Sequence, residues 1–536
     1  MKLTRAHFFV ILLFIGLAIV GMSFLSDRPE GGSKAVSDVF ETSTGGLSVV
    51  KGVETVELAD GDEYALTASY VKKMIGGREV RMLAYNGSVP GPVIKVPQGG
   101  EVTINFKNEM DVPTTIHSHG VRLANSYDGV PGVTQPEIPP GGSFSYKIRF
   151  PDAGVFWYHP HMREDYTQEL GLYGNYIVVP TNSSFWSPAN IELPLFVDDI
   201  LLDGSGIAPF KTDTVERTLM GRFGNVMLLN GDPEFSLSVE KGSVARFYLT
   251  NSANTRVFNL SIPGTRIKLV GSDGGRYEKE AFVEEVMLAP SERAVIEVFF
   301  KDAGMYEIRH MTPTTEYVLG KITITDRLAS PSYVRQFETI RDDGSIRTEV
   351  PDLDSHLSRR PDKYLTLSVG MEGMMSSMMQ GGSSDGHAHD HGSMGSMMGS
   401  MGAAAPIEWE DHMPEMNAVS DDVNTVWKIV DRQTKKENMD IHWTFNEGNR
   451  IKISIFNDDH SMHPMQHPIH FHGQRFLVLS RDGVENTNMV WKDTVLIGAG
   501  ETVDILLDAS NTGQWMAHCH IAEHLHSGMM FEFNVE

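Results

Sequence analysis

Residues 511–520, Asn-Thr-Gly-Gln-Trp-Met-Ala-His-Cys-His (NTGQWMAHCH), have two earlier counterparts in the chain, DAGVFWYHPH at 152–161 and DAGMYEIRHM at 302–311. Each opens on a Gly-containing turn signal and runs into a stretch of strand character. The segments that precede each one recur in the same order. VIKVPQGGEVTINFKN, IHSHG and IPPGGSFSYKIRF lead to the first copy. FSLSVEKGSVARFYLTN, FNLSIPG and LAPSERAVIEVFF lead to the second, and TFNEGNRIKISIFND, HPIHFHG and IGAGETVDILLDAS to the third. Short alternating runs punctuated by Gly, Pro, Asn and Asp predict antiparallel strands, and a threefold repeat of such runs predicts three sandwiches of one design. The expected fold is all-β, with Greek-key β-sandwich domains at about 51–182, 190–328 and 362–536.

Composition narrows the function. The chain has 536 residues, with 45 Lys+Arg against 70 Asp+Glu for a formal charge of -25, and holds 29 Met, 21 His and a single Cys. One cysteine forbids a disulfide framework, and the acidic balance argues against nucleic acid as a partner, because phosphates require clustered Lys and Arg. Lys2 and Arg5 precede the uncharged run 8–25, so residues 1–25 read as a signal sequence or an N-terminal membrane anchor, followed by a linker at 26–50. Basic residues ahead of the run place the remainder outside the cytoplasm, whether periplasmic, secreted or anchored facing outward. Residues 371–405, rich in Met, Gly, Ser and His, break the sandwich pattern and read as an insertion near the start of the third domain.

Four histidine clusters stand at equivalent places in the repeat: His117-Ser118-His119, His159-Pro160-His161, His467-Pro468-Ile469-His470-Phe471-His472, and His518-Cys519-His520 followed by His524 and Met529. Residues two apart in a strand project to one face, so each H-x-H aims two imidazoles at one point. A single such pair is ordinary strand decoration; four at repeat-equivalent positions predict metal. In His518-Cys519-His520 the histidines point one way and the cysteine the other, which predicts two metal centres on opposite faces of one strand. On the cysteine side, His467, His524 and Met529 complete two imidazoles, a thiolate and a weak axial thioether, the blue-copper set. The eight other histidines gather on the opposite side.

With these four motifs the chain resembles the multicopper oxidases, the family of laccases, ascorbate oxidase and bacterial cuprous oxidases, over about residues 51–536. The resemblance implies cupredoxin-like sandwiches and four coppers per chain. Carried over residue by residue, it implies type 1 copper on His467, Cys519, His524 and Met529, type 2 copper on His117 and His470, and the type 3 pair on His119, His159, His161, His472, His518 and His520. The trinuclear cluster is then expected between domains 1 and 3. The middle copy has Arg309 and Met311, and Asn259 and Ser261, where the others have ligand histidines, so domain 2 is expected to hold no copper and His310 to be an ordinary histidine. The resemblance also implies that electrons enter at the type 1 copper, pass through Cys519 to His518 and His520, and reduce O2 to water. Asp128 matches the family's acid near the cluster and is expected to serve proton delivery. A second acid that many bacterial members carry after the last type 1 histidine is replaced by Leu525, with Glu523 nearby.

For the electron donor, thioethers are soft ligands that prefer Cu(I). The insertion carries 9 Met among residues 371–401 and three histidines, His387, His389 and His391, and it occupies a position similar to the Met-rich insert of copper-resistance oxidases. Met465 matches a family cuprous-site position, while His463 stands where those members have Asp. Met413 and Met416 are further candidates for substrate copper. Asp493 resembles a residue that supports the type 1 region. The expected function is an extracytoplasmic oxidase of Cu(I), with phenols or other metal ions as further donors, acting in copper tolerance as a monomer. The alternative is a copper-sequestering resistance protein with incidental laccase activity.

Overall fold

The computed structural model describes residues 38–342, 344–371 and 406–536. The N-terminal apolar run and residues 372–405 of the insertion lie outside the described residues. Among the described residues no helix is long and apolar enough to cross a membrane.

Three pairs of sheets make three cupredoxin-like sandwiches, and alternation along the strands explains them. In Glu101–Asn108 the residues Val102, Ile104 and Phe106 turn inward while those between are only partly buried, the pattern of a strand with one face on a core. It belongs to a four-stranded sheet with Arg78–Tyr85, Glu63–Ile75 and Ser143–Arg149. Tyr85 of that sheet packs on Tyr158 of a facing five-stranded sheet, with ring centroids 5.3 Å apart. The middle sandwich pairs a six-stranded with a five-stranded sheet, and the last a seven-stranded with a five-stranded sheet.

The five-stranded sheets share one plan. In the first sandwich the order is Thr55–Glu57, Val93–Pro97, Gly174–Val179, Gly154–His159 and His117–His119; in the last it is His442–Phe445, Met530–Val535, Gly513–Cys519, His467–Phe471 and Thr494–Ile497. The histidine-bearing strands are therefore neighbours in each sheet. His117 lies opposite His159, and His470 opposite His518. In the middle sandwich the equivalent strands Phe258–Ser261 and Gly304–Met311 pair Ser261 with Arg309 and Leu260 with His310. Arg309 spends its charge on Glu307 and Glu316, at 2.8 and 2.7 Å. His310 occupies the register position that Cys519 holds in the last sandwich, faces inward, and accepts a hydrogen bond at Nδ1 from the Asn259 N–H at 3.0 Å. His310 packs beside Tyr317 and Phe258.

Contacts between sandwiches place the site. Val244–Asn251 is buried along its whole length: Phe247 and Leu249 enter its own core, while Tyr248 packs with Val93, Val155 and Ile177 of the first sandwich. The first sandwich docks on the last through the segment after His119, where the Asn511 side chain donates to the Leu123 carbonyl at 2.8 Å and Arg122 donates to the Ser510 hydroxyl at 3.1 Å. Val130, Met516 and Leu525 form an apolar cluster at this junction. Leu525, standing where the resemblance implies an acid, thus fills the junction with hydrocarbon.

Candidate metal centre

Cys519 ends the strand Gly513–Cys519 and lies opposite Ile469. Its Sγ is 3.6 Å from His467 Nδ1 and 3.8 Å from His524 Nδ1, and those two nitrogens are 3.3 Å apart. The three residues are fully buried and their donor atoms converge on one point. Met529, also fully buried, packs in the same core, and its carbonyl accepts the Cys519 N–H at 3.0 Å. Trp427 stacks on His524 with centroids 4.0 Å apart and meets His467 edge-on. Burial pushes the Cys519 thiol up and the His467 imidazole down to about 3. Without a metal this corner is neutral; a bound cation replaces the thiol proton.

On the opposite face of the same strand the eight remaining histidines gather. His119, His159 and His520 form one triad, with ring centroids 5.7, 5.0 and 5.1 Å apart. His161, His472 and His518 form a second, at 5.2, 5.3 and 5.0 Å. His117 and His470 face each other at 5.8 Å. Each half of the cluster draws on both the first and the last sandwich.

Hydrogen bonds on the far side of the rings show what these nitrogens are prepared for. The Nδ1 atoms of His117, His159, His470 and His518 lie 2.8, 2.7, 2.8 and 2.8 Å from the carbonyls of Asp128, Pro160, Asp493 and Cys519. His472 Nδ1 faces Asp128 Oδ2 at 2.9 Å, and His161 Nδ1 lies 3.1 Å from Glu164 Oε1 as a charge contact without hydrogen-bond geometry. Carbonyls and carboxylates only accept, so each hydrogen-bonded Nδ1 holds the proton and the Nε2 of the same ring presents a lone pair. The Nε2 atoms of His117, His159, His161, His470 and His520 have no partner. His472 Nε2 and His518 Nε2 stand 2.9 Å apart, lone pair against lone pair. His119 is reversed: its Nε2 lies 3.0 Å from Asp493 Oδ1, and its Nδ1 is the unpartnered atom. Burial holds His119, His159, His470 and His518 well below the usual imidazole range, and His472 and His520 at about 3. Neutral, converging, unpartnered nitrogens are what a transition-metal ion needs. The residues present therefore fit copper.

Acidic groups surround the cluster. Asp128 is fully buried between His117 and His472; burial raises its carboxyl, but the two imidazoles outweigh that and hold it well below the usual range. Glu164 bridges His161 and His526, 2.6 Å from His526 Nε2. Burial pushes Glu523 up to about 7, with the Thr255 hydroxyl donating to it at 3.2 Å. The sequence reading missed Glu164, although its spacing three residues after His161 was a readable signal. It also misplaced Asp493, expected near the type 1 set. Asp493 directly precedes Thr494–Ile497, whose Thr494 lies opposite His470 while His467 lies opposite Ile497 at the far end, so its carboxylate reaches His119 instead.

The candidate donor-side residues divide. Met465 is fully buried in the core, whereas Met413, Met416 and, unforeseen, Met462 are partly buried and pack against its edge. His463 is buried with an unpartnered Nε2, and burial lowers its imidazole to about 4.

A cupredoxin-like chain with one cysteine-centred group and one polyhistidine group carries the donor sets of a copper protein. Three segments, residues 67–183, 178–323 and 410–536, match the sequence profiles described as multicopper oxidase, and the chain belongs to the multicopper oxidase family. It is an oxidoreductase, and the family implies type 1, type 2 and type 3 copper. The chain is 25% identical to multicopper oxidase mco of Staphylococcus aureus over 84% of this chain and 83% of that protein. It is 24% identical to a copper resistance protein A homolog of Pseudomonas syringae pv. tomato, over 89% and 92%. Its fold is similar to that of McoA from the hyperthermophile Aquifex aeolicus (TM-score 0.65, 22% identity, 91% and 99% covered) and of a multicopper oxidase from Campylobacter jejuni described as a metallo-oxidase (TM-score 0.63, 21%, 92% and 99%).

Proposed function

We propose that the chain oxidises Cu(I) one electron at a time and couples this to the four-electron reduction of O2, outside the cytoplasm and in copper tolerance, with phenols or other metal ions as further donors. The domain division at about 51–182, 190–328 and 362–536 is part of the same reading. In it, His467, Cys519, His524 and Met529 hold the type 1 copper, His117 and His470 the type 2 copper, and His119, His159, His520, His161, His472 and His518 the type 3 pair. The observation that carries the reading is the pair of bare Nε2 atoms of His472 and His518 at 2.9 Å, an arrangement that costs free energy until a cation lies between them.

Bound copper supplies the redox chemistry: four Cu(I) and O2 with four protons give four Cu(II) and two waters. The protein's part is to bind, connect and protonate. Cys519 is joined through single peptide units to His518 and His520, and the hydrogen bond from His518 Nδ1 to the Cys519 carbonyl adds a second link between the two sites. Asp128 fixes the His117 and His472 rings and in this reading serves proton delivery to the cluster. Glu164, between His161 and the partly exposed His526, supports a second connection toward solvent.

Cu(I) as the donor rests on the thioethers of Met413, Met416 and Met462, which pack against the core that holds Met465 and Cys519, and on the buried His463 with its unpartnered Nε2; that a relative is named a copper resistance protein supports it. The test compares O2 uptake with Cu(I) and with a phenol in copper-loaded protein. His463→Ala combined with Met416→Ala should raise KM for Cu(I) by roughly tenfold or more while leaving phenol oxidation near wild type. Equal effects on both donors would contradict a dedicated cuprous site. Deletion of residues 372–405 should lower the rate with Cu(I) alone; an unchanged rate would remove the insertion from the pathway.

A further inference from the structure

The middle sandwich supplies none of the ligands proposed above, yet one of its side chains reaches the histidine cluster. Arg293 opens the strand Arg293–Phe299 and is fully buried. Its guanidinium is bidentate on Asp493, with Nη1 donating to Oδ1 at 2.6 Å and Nη2 to Oδ2. Nη1 also donates to the Ser291 carbonyl at 3.1 Å and Nε to the Val155 carbonyl at 3.3 Å. Three sandwiches meet on this one side chain, since Val155 lies on the strand that ends at His159 and Asp493 borders the strand beside His470.

Asp493 passes the contact to two histidines of the cluster. Its Oδ1 lies 3.0 Å from His119 Nε2 and its carbonyl accepts from His470 Nδ1 at 2.8 Å. The Thr494 hydroxyl lies 3.2 Å from both ring nitrogens and 3.1 Å from the Ser291 hydroxyl of the middle sandwich. The fit is close: a Cβ on Gly120 would come within 2.3 Å of Asp493 Oδ2 and 2.7 Å of Arg293 Nη2.

A buried carboxylate without a cation is costly, and an arginine fork both neutralises it and fixes its plane. Held this way, Asp493 can only accept, so His119 keeps its proton on Nε2 and presents Nδ1. It is the one ring of the eight in the cluster with that orientation.

We propose that Arg293 is a positioning residue for the trinuclear centre: through Asp493 it sets the ring orientation and tautomer of His119 and anchors His470, so that the copper-free sandwich takes part in building the site between the other two. This rests on the copper assignment given above.

The test uses the full chain loaded with copper and three variants: Arg293→Gln, Arg293→Lys, and the double variant Arg293→Gln with Asp493→Asn, which leaves no unpaired charge. Four quantities are read: copper per chain, the blue absorption of the type 1 site, the near-ultraviolet absorption of the type 3 pair, and the type 2 EPR signal. The blue band should persist in every variant that folds, while type 2 and type 3 signals change and cluster copper affinity or turnover falls roughly 10–100-fold, the usual effect of losing an outer-shell partner. Lys restores the charge but not the fork and should recover only part of that loss. Wild-type type 2 and type 3 signals in a folded Arg293→Gln or double variant would overturn the proposal, as would failure of all three variants to give a blue, cooperatively unfolding protein, which would make Arg293 a folding residue. Absence of type 2 and type 3 signals from the wild-type protein would instead refute the copper assignment itself.

Discussion

Asp128 serves two histidines at once, its carbonyl taking the His117 N–H and its Oδ2 facing His472 Nδ1 at 2.8 and 2.9 Å. Asp128→Asn keeps the shape but removes the charge, and its amide can present a donor to His472. Turnover should fall by roughly 10–100-fold while the blue absorption, set on the other face of the strand, stays at wild-type intensity; steady-state O2 uptake and the visible spectrum check this together. The residue scale was largely legible in the sequence. A two-residue spacing fixes a shared face of a strand, so the H-x-H motifs and the odd position of Cys519 announced two centres before any fold was known. Partners that reach the site across chain distance were not legible. Arg293 and Asp493 are separated by 200 residues, and the tautomers of His119 and His472 depend on where folded carboxylates end up, which spacing does not encode.

The element that carries His117 and His119 is a strand of only three residues, held from behind by the turn at Asp128 and Gly129. Gly129 has φ +84°, and a Cβ there would lie 1.9 Å from the Ile116 carbonyl oxygen and 3.0 Å from the His117 nitrogen. Gly129→Ala therefore forces the strand away from its place, beyond the conformational cost of a left-handed non-glycine residue. A stability loss of roughly 3 kcal/mol or more is expected, with cluster copper lost before type 1 copper, as checked by denaturant midpoint and copper content. At this scale the strands were readable from alternation and turn signals. The use of Leu525 was not: it reads as a missing acid in the sequence, and only the junction of the first and last sandwiches shows it packing on Val130 and Met516.

Across the whole molecule, a core that buries so many neutral imidazoles carries a pH cost when copper is absent. The folded-state pKa values of His467, His472 and His520 are depressed by burial to about 3, below the 6.5 of a free imidazole. Between these values the unfolded chain binds protons that the folded chain refuses, so stability present above pH 6.5 is lost as pH falls toward 3. These three alone give a slope of about 4 kcal/mol per pH unit, and copper-free protein should show a steep fall in melting temperature below pH 6.5. Asp198 works in the opposite sense. Burial raises it to about 8, so its contribution is fully present below about 4, is lost progressively as pH rises from 4 through 8 and changes no further beyond; Asp198→Asn should remove that decline from the same profile. The threefold architecture was evident from the repeat, whereas the seating of the sandwiches was not, because the contacts that set it are single side chains such as Tyr248 and Arg293 with no periodic signal. The central claim is that Cys519 ties one copper to a separate histidine-held cluster, and Cys519→Ser tests it most directly. Copper-loaded Cys519→Ser should lose the intense blue absorption and the type 1 EPR signal while keeping the type 2 and type 3 signals; a surviving blue band, or loss of all copper signals from a folded protein, would contradict it.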